Sequence, residues 1–413
     1  MSTLCPALRL GPMAVSGASR QKQIPIGFHL TALWAAILCL CNFSVLQGQT
    51  DGRWHQSIGT ENLNMQALIF EGGRTFAGGA TGSYLSTNSA VDFALSNTGN
   101  DSSGPTRGFA SHSNFLFTCT SQGVFRSADH GVTWSQKNSG LTDLRGSGIH
   151  YLAPYLIVVA PTGVFRSGND GDNWEAAGLA GTDIRCVTSI GATLFVGANA
   201  AASSVYRSTD HGVNWTAANT GLNTTSVRAI ERKGTTLFAA GAVGTGVFRS
   251  LDLGVSWTLL STATGLPSSS YRGFASDDFF IFAGSFGGGV YYSADNGDTW
   301  TAINAGLPDL TIFDLELNAS MLVAATNTKG VFRFALSNLP RLPARITSTA
   351  LTPEGFSITY SAQTGAAGVL EYSDSLDGGW NELQTMTGTG SPAGVTDIST
   401  PLPSKRFYQI RTQ

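Results

Sequence analysis

Four arginines occupy matching places in a repeated stretch of the chain. Arg107, Arg185, Arg228 and Arg272 each stand two residues before an apolar position in a β-patterned run. The same place elsewhere holds Gln66, Ser147 and Phe313. Guanidiniums brought together from separate segments are chemistry for an anion, because their planar forks match carboxylate or phosphate oxygens. Three acids, Asp143, Asp183 and Asp309, fall just ahead of three of these runs. Two readings are open. The arginines form a platform for an anionic or polar ligand, or each bonds the acids and carbonyls of a neighbouring loop. An enzyme would draw on the three acids, since a glycosidase sets two carboxylates roughly 5–10 Å apart across a cleft. Catalysis is not the favoured reading, because the loops are short and leave no insertion to build subsites. His112, His130, His150 and His211 are scattered, and no nucleophile elbow, zinc-hydrolase or phosphate-loop pattern stands in a convincing context. No metal and no cofactor is expected.

The elements that must position these residues repeat. The phrase SADHGVTW at 127–134 returns as SGNDGDNW at 167–174, STDHGVNW at 208–215, SLDLGVSW at 250–257 and SADNGDTW at 293–300. Its Trp residues are 40, 41, 42 and 43 residues apart. Each copy follows VFRS, VYRS or VYYS, and weaker copies lie at 84–93 and 331–334. The fifth copy holds four strand-like runs, at 226–231, 235–241, 246–250 and 256–260. A period of 40–45 residues with four short strands is the pattern of a β-propeller. Phe125, Phe165, Tyr206, Phe248 and Tyr291 are expected to pack between blades. Seven copies imply seven blades. The last lacks its Trp strand, and Arg53-Trp54 near the start supplies it. Of the few glutamates (Glu61, Glu71, Glu175, Glu231 and Glu316), Glu231 is expected in a turn on the side of the repeated phrase, as is the Asp277-Asp278 pair.

The phrase S-x-D-x-G-x-[TSN]-W resembles the Asp-box, or bacterial neuraminidase (BNR) repeat, over residues 51–334. The resemblance implies a hairpin between the third and fourth strands of each blade, on the rim and away from the ligand face. The acids and indoles of the five boxes, Asp129/Trp134, Asp170/Trp174, Asp210/Trp215, Asp252/Trp257 and Asp295/Trp300, are then structural. The third box offers Asn169 at the acid's place with Asp170 beside it. Sialidases also carry the box, but their Arg-Ile-Pro motif is absent here. The chain is more similar to compact seven-bladed propellers related to photosystem II assembly factors, which are binding scaffolds. Blades of that kind often begin with an arginine.

The ends differ from the repeat. Residues 1–23 carry Arg9, Arg20 and Lys22 and no acid, and residues 24–46 are largely apolar. A cleavable export signal over 1–49 is expected, with a retained anchor as the alternative. Residues 337–345 contain two prolines and read as a linker. Residues 346–413 hold six short strand patterns and suggest a small β-sandwich. Tyr372, Ser373, Leu376, Trp380, Thr396, Asp397, Arg406, Phe407 and Tyr408 resemble a fibronectin-III-like module of secreted bacterial proteins.

Composition sets the outer limits. The 413 residues carry a net charge of -3 and only 12% charged side chains. That excludes a nucleic-acid binder working through bulk positive charge. A 42% hydrophobic content excludes a disordered chain. Past the leader only Cys119 and Cys186 remain, expected as separate buried thiols. The expectation is thus an all-β exported protein: a seven-bladed propeller over 50–336 and a small C-terminal sandwich. It is secreted, periplasmic or on the cell surface, monomeric, and without a stable membrane span once cleaved. It binds a protein or glycan on its top face. The alternative is an exo-acting glycoside hydrolase of the sialidase type.

Overall fold

The computed structural model describes residues 51–412 except 101–103, 201–202, 242–243, 261, 268, 341–344, 353–354, 362–366, 375–378, 389–392 and 398–405. The expected export segment lies outside the described residues. These form seven four-stranded antiparallel sheets and two three-stranded ones.

In the fifth sheet the strands Val227–Lys233, Thr236–Gly241, Val247–Ser250 and Thr258–Leu260 pair in chain order. The first strand of each four-stranded sheet touches that of the next, and Met65–Glu71 touches Ile312–Leu317, so the ring closes around an axis. Closure is sealed by the chain's early residues. His55–Gln56 pairs with Val331–Ala335, the third strand of the last sheet. The Trp54 amide donates to the Ala305 carbonyl at 2.8 Å, and its indole donates to the Ile303 carbonyl. A closed ring leaves no long sheet edge to pair with another chain.

The repeated phrase is a self-bonded turn at the rim. Ser250 Oγ donates to Asp252 Oδ1 at 2.8 Å and accepts from the Gly254 amide at 2.8 Å. Asp252 also accepts the Ser256 amide (2.9 Å) and hydroxyl (2.5 Å). The Ser256 hydroxyl, its amide and the Ser250 hydroxyl hold the Asp252 carboxyl down to about 2. Asp129, Asp210 and Asp295 make the same bonds. The third turn corrects one expectation. Asn169, not Asp170, fills the acid's place: its Oδ1 accepts the Asn173 amide at 2.9 Å and the Ser167 hydroxyl at 2.8 Å. Asp170 takes the left-handed position, with φ of 55°.

Three devices tie each sheet to the next. The indoles of Trp134, Trp174, Trp215 and Trp257 each donate 2.8 Å bonds to carbonyls of the preceding sheet's last segment: Ser96, Lys137, Ala177 and Ala218. The arginine of VFRS reaches the following sheet's box. Arg126 donates to the Asp170 carbonyl, Arg166 to His211, Arg207 to Leu253 and Arg249 to Asn296. A glycine allows the closest backbone approach. At Gly221, with φ of +86°, a Cβ would lie 2.2 Å from the Trp257 carbonyl oxygen. The aromatic expectation holds in the second sheet: Phe125 clusters with Ala67 and Phe76 of the first sheet and with Phe109 of its own.

Trp300, like Trp215, bonds a carbonyl of its own turn. It is buried, but its indole donates at 3.1 Å to the Gly297 carbonyl of its own turn. Its described ties to the preceding sheet are of other kinds. The Trp300 amide donates to the Thr264 carbonyl at 2.7 Å, and its ring meets Phe238 edge-on at 6.3 Å. The physical reason is a longer connection. The Trp257 amide bonds Thr220, five residues past Trp215, whereas Thr264 lies seven past Trp257, in the short 3-10 turn Thr262–Thr264. Two added residues carry the chain differently past the indole while keeping the backbone bond.

Beyond the ring, Arg345–Thr352, Gly355–Ser361 and Ala393–Asp397 form one three-stranded sheet. Ala367–Ser373, Asn381–Thr387 and Phe407–Thr412 form the other. Ile358, Tyr360 and Val395 of the first share one core with Leu370 and Met386 of the second. Arg406 spans Asp374 and Asp397 at 2.7 and 2.8 Å.

Candidate functional site

The seven places marked in the sequence meet at one cavity. Gln66, Arg107, Ser147, Arg185, Arg228, Arg272 and Phe313 all line an opening of about 510 Å³. The backbone explains why. The ladder between first and second strands slips by one residue at Met65/Ala67, Thr106/Gly108, Ile184/Cys186, Val227/Ala229, Tyr271/Gly273 and Ile312/Asp314. The skipped residue is Gln66, Arg107, Arg185, Arg228, Arg272 or Phe313. Each is therefore the extra residue of a β-bulge, a device that turns a side chain out of the pleat. These six bulges, one in each sheet but the third, deliver their residues to a common mouth.

The four arginines are not equivalent. Arg185 is paired with Asp183, which also accepts Asn199 Nδ2 at 3.1 Å. Arg107, Arg228 and Arg272 have no carboxylate partner among the described residues. Arg272 is flanked by two rings, its guanidinium carbon 4.8 Å from the Phe286 centroid and 5.0 Å from Phe313. Its Nε is buried with no hydrogen-bond partner. Burial, then the charges of Arg228 and Arg185, pull its pKa down. Among the described residues, of these four arginines Arg185 alone pairs with a loop acid.

The loop acids have structural employment. Asp143 is 7% exposed. It takes a two-pronged bond from Arg145 at 2.9 Å on each oxygen, and the Thr162 hydroxyl at 3.0 Å. Asp309 accepts the Thr311 amide at 2.9 Å, and the Thr328 amide and hydroxyl at 2.7 and 2.8 Å.

Two other acids face the cavity. Glu231 lies within its strand and not in a turn, and it lines the cavity together with Asp314. Burial pushes Glu231 up to about 7, against the pull of Arg232 and the Ser276 hydroxyl. Burial also pushes Asp314 up to about 7, although the amides of Leu68 and Leu315 donate to it at 2.8 and 2.9 Å. Glu316 is driven well above the ordinary range by burial and by the charges of Asp314 and Glu231. Sequence reading misplaced Glu231 and passed over Asp314. For Asp314 the available signal was the alternation of IFDLEL, in which Asp314 and Glu316 share a face directly after the Phe313 bulge. Cys186 lines the cavity too, and burial raises its thiol to about 12. Cys119 is likewise a free thiol.

With this geometry described, known proteins can be compared. A family model for the BNR/Asp-box repeat matches residues 291–302. The chain is a β-propeller that carries Asp-box repeats. No curated protein sequence matches it. Among solved structures it is similar to YCF48 bound to D1 peptide, with TM-score 0.56 and 14% identity over 68% of this chain and 96% of that one. It is similar to the GH74 xyloglucanase from Xanthomonas campestris, with TM-score 0.57 and 14% identity over 75% of this chain and 59% of that one. PorZ, an essential bacterial surface component of the type-IX secretion system of Porphyromonas gingivalis, gives TM-score 0.53 and 14% identity. That match spans 87% of this chain and 60% of PorZ. At these identities the likeness is one of fold. No helix among the described residues is long and apolar enough to cross a membrane.

Proposed function

We propose that this protein is an exported, non-catalytic binding scaffold whose axial mouth takes a carboxylate-bearing peptide segment of a partner protein. The observation that carries the reading is the set of uncompensated guanidiniums. Arg107, Arg228 and Arg272 lack carboxylate partners among the described residues, yet they converge with Arg185 on one cavity. Holding like charges together without a counterion is unfavourable, and an incoming anion relieves it. Guanidinium forks pair two-pronged with carboxylates, which a neutral glycan lacks. That a propeller of similar fold, YCF48, has been solved with a peptide supports this choice. Residues 50–336 would form the binding body, 337–345 a linker and 346–413 an accessory sandwich.

The test is binding of fluorescein-labelled peptides with free and amidated C-termini, with and without acidic side chains, followed by polarisation. Carboxylate-bearing members should bind. Arg107→Ala and Arg228→Ala should each weaken them about tenfold to a hundredfold, the size of a charge-assisted hydrogen bond, without moving the melting temperature. Equal binding of neutral peptides, or none by any member, would sink the reading.

A hydrolase is the second reading, favoured by one observation: Glu231 and Asp314, both titrating near neutrality, share the cavity. Release of reducing ends from a sialoglycan and polysaccharide panel, lost in Asp314→Asn, would establish it in place of the scaffold.

A further inference from the structure

The mouth is charged on one side and apolar on the other. Following the ring, Arg185, Arg228 and Arg272 occupy three consecutive sheets, and the next sheet presents Phe313. Phe286 stands beside it, ring centroids 6.2 Å apart at an interplanar angle of 70°. Phe286 is 45% exposed and the only aromatic among the exposed large hydrophobic residues described. Leu310, 37% exposed, adjoins it, because its carbonyl accepts the Gly287 and Gly289 amides at 3.0 and 2.8 Å. This lip is built and not floppy. The Phe286 amide donates to Ser270 at 2.7 Å, and Phe286 bridges to Thr311 across the neighbouring sheet's approach. Arg272 joins the two halves, with its guanidinium against both rings.

Resting on the anion-binding reading above, we infer that the mouth selects a peptide with an apolar or aromatic side chain close to its carboxylate. The carboxylate meets the Arg185–Arg228–Arg272 arc, while the side chain covers Phe286, Phe313 and Leu310. Two physical costs point this way. A rigid, solvent-exposed Phe and Leu beside a cation cluster are apolar surface that only an apolar ligand group removes from water. Covering that side also excludes water from Arg272, which strengthens its attraction for the anion. Charge complementarity thus fixes one end of the ligand and the lip fixes its neighbour. An acidic oligosaccharide would satisfy the arc but has no such side chain to offer.

The test is selection on the purified protein from a peptide library randomised over its last five positions with a free C-terminus. The wild type should enrich Leu, Phe, Tyr or Trp at least fivefold at a position within three residues of a carboxylate. Phe286→Ala should cut that enrichment below twofold while acidic peptides are still retained, and Phe286→Leu should keep most of it. Phe286 is exposed, and an unchanged melting temperature would confirm that the variants fold. Retention without apolar enrichment, or enrichment unaffected by Phe286→Ala, would overturn the inference and leave the anion site intact. Loss of all retention in wild type would instead remove the anion-binding reading itself. Displacement of bound peptide only by acidic oligosaccharides would reassign the ligand class and overturn both.

Discussion

Replacing Glu231 with Gln should stabilise the protein at alkaline pH and leave it unchanged in acid. Burial raises the folded-state pKa of Glu231 from 4.5 to about 7. Below about 4.5 the carboxyl is protonated whether the chain is folded or not. As pH rises from there, the unfolded chain releases its proton first, so folding is progressively penalised. The loss is complete near pH 7 and constant above it. A shift of that size corresponds to roughly 3 kcal/mol at about 1.4 kcal/mol per unit. Asp314 and Glu316 share the same region and part of the effect, so about 2–3 kcal/mol is the expected gain for the single variant. For a domain of this size that is roughly 3–5 °C in Tm.

The assay must separate this from an opposing trend. Burial lowers the His150 imidazole to about 4, so His150 contributes stability that grows as pH rises from about 4 to 6.5. The raw wild-type profile is therefore a sum of two slopes of opposite sign. The difference between wild type and Glu231→Gln cancels the His150 part. Urea unfolding of both proteins at half-unit steps from pH 4.5 to 8.5 should give a difference near zero at the acid end that climbs to a plateau above pH 7. The box aspartates do not interfere, since Asp210 and Asp252 are held down near 2 and act only as pH falls below about 4. A difference flat across the whole range would mean that Glu231 is solvated and ordinary, and the account of the cavity acids would be wrong.

The same acids should make ligand binding pH-dependent. Once ionised, Glu231 and Asp314 partly cancel the arginine field in the cavity they share, so a carboxylate peptide should bind more tightly at pH 6 than at pH 8. Isothermal titration with wild type and Glu231→Gln checks this: the variant should lose much of the dependence, and a stronger affinity at pH 8 would contradict it. At the rim, Gly221→Ala should cost about 2–4 kcal/mol, from the left-handed backbone and the clash with the Trp257 carbonyl. Calorimetry showing a change below about 1 kcal/mol would mean that neighbouring sheets are less tightly locked than the geometry implies.

Much of the fold was legible because its repeats are punctuated by residues with few substitutes. Ser, Gly and Trp recur in all five boxes and the third position keeps an acceptor oxygen, so their spacing survives as a readable period. Trp54 was readable for the same reason, since its indole and amide serve the last sheet as the box tryptophans serve theirs. Trp300 shows the limit of that reading: the box marks where the indole stands, while its acceptor depends on the length of a connection outside the box. The arginine places were legible as a column, but their bulges were not. A bulge is one unpaired residue, with no signature beyond its position. Glu231 was misplaced because its strand runs two residues beyond it, to Lys233. Asn169 did the work assigned to Asp170 because the turn needs one acceptor oxygen at that place, which an amide supplies as well as a carboxylate. Phe286 carried no sequence signal, since its exposure depends on where the second-to-third-strand turn of one sheet lies relative to the next sheet.

The protein uses arginine in two opposite ways, and the contrast explains how the axis tolerates an unpaired cluster. At the rim, Arg126, Arg166 and Arg249 spend their donors on carbonyls of the next box. Those bonds, with the indole donors and the glycine contacts, join neighbouring sheets without using the axis. The ring is thus bonded at its periphery and by the Trp54–Gln56 segment, in addition to the contacts between its innermost strands. The innermost strands can then carry a group such as Glu231, whose burial lowers stability. Three guanidiniums without carboxylate partners and two acids titrating near neutrality would be a liability in a core that had to hold itself together. Here the ring tolerates that cost, because bonds at the rim also join neighbouring sheets. Arg107 or Arg228 should therefore be replaceable without unfolding, whereas the same exchange at Arg249 removes a bond between two sheets.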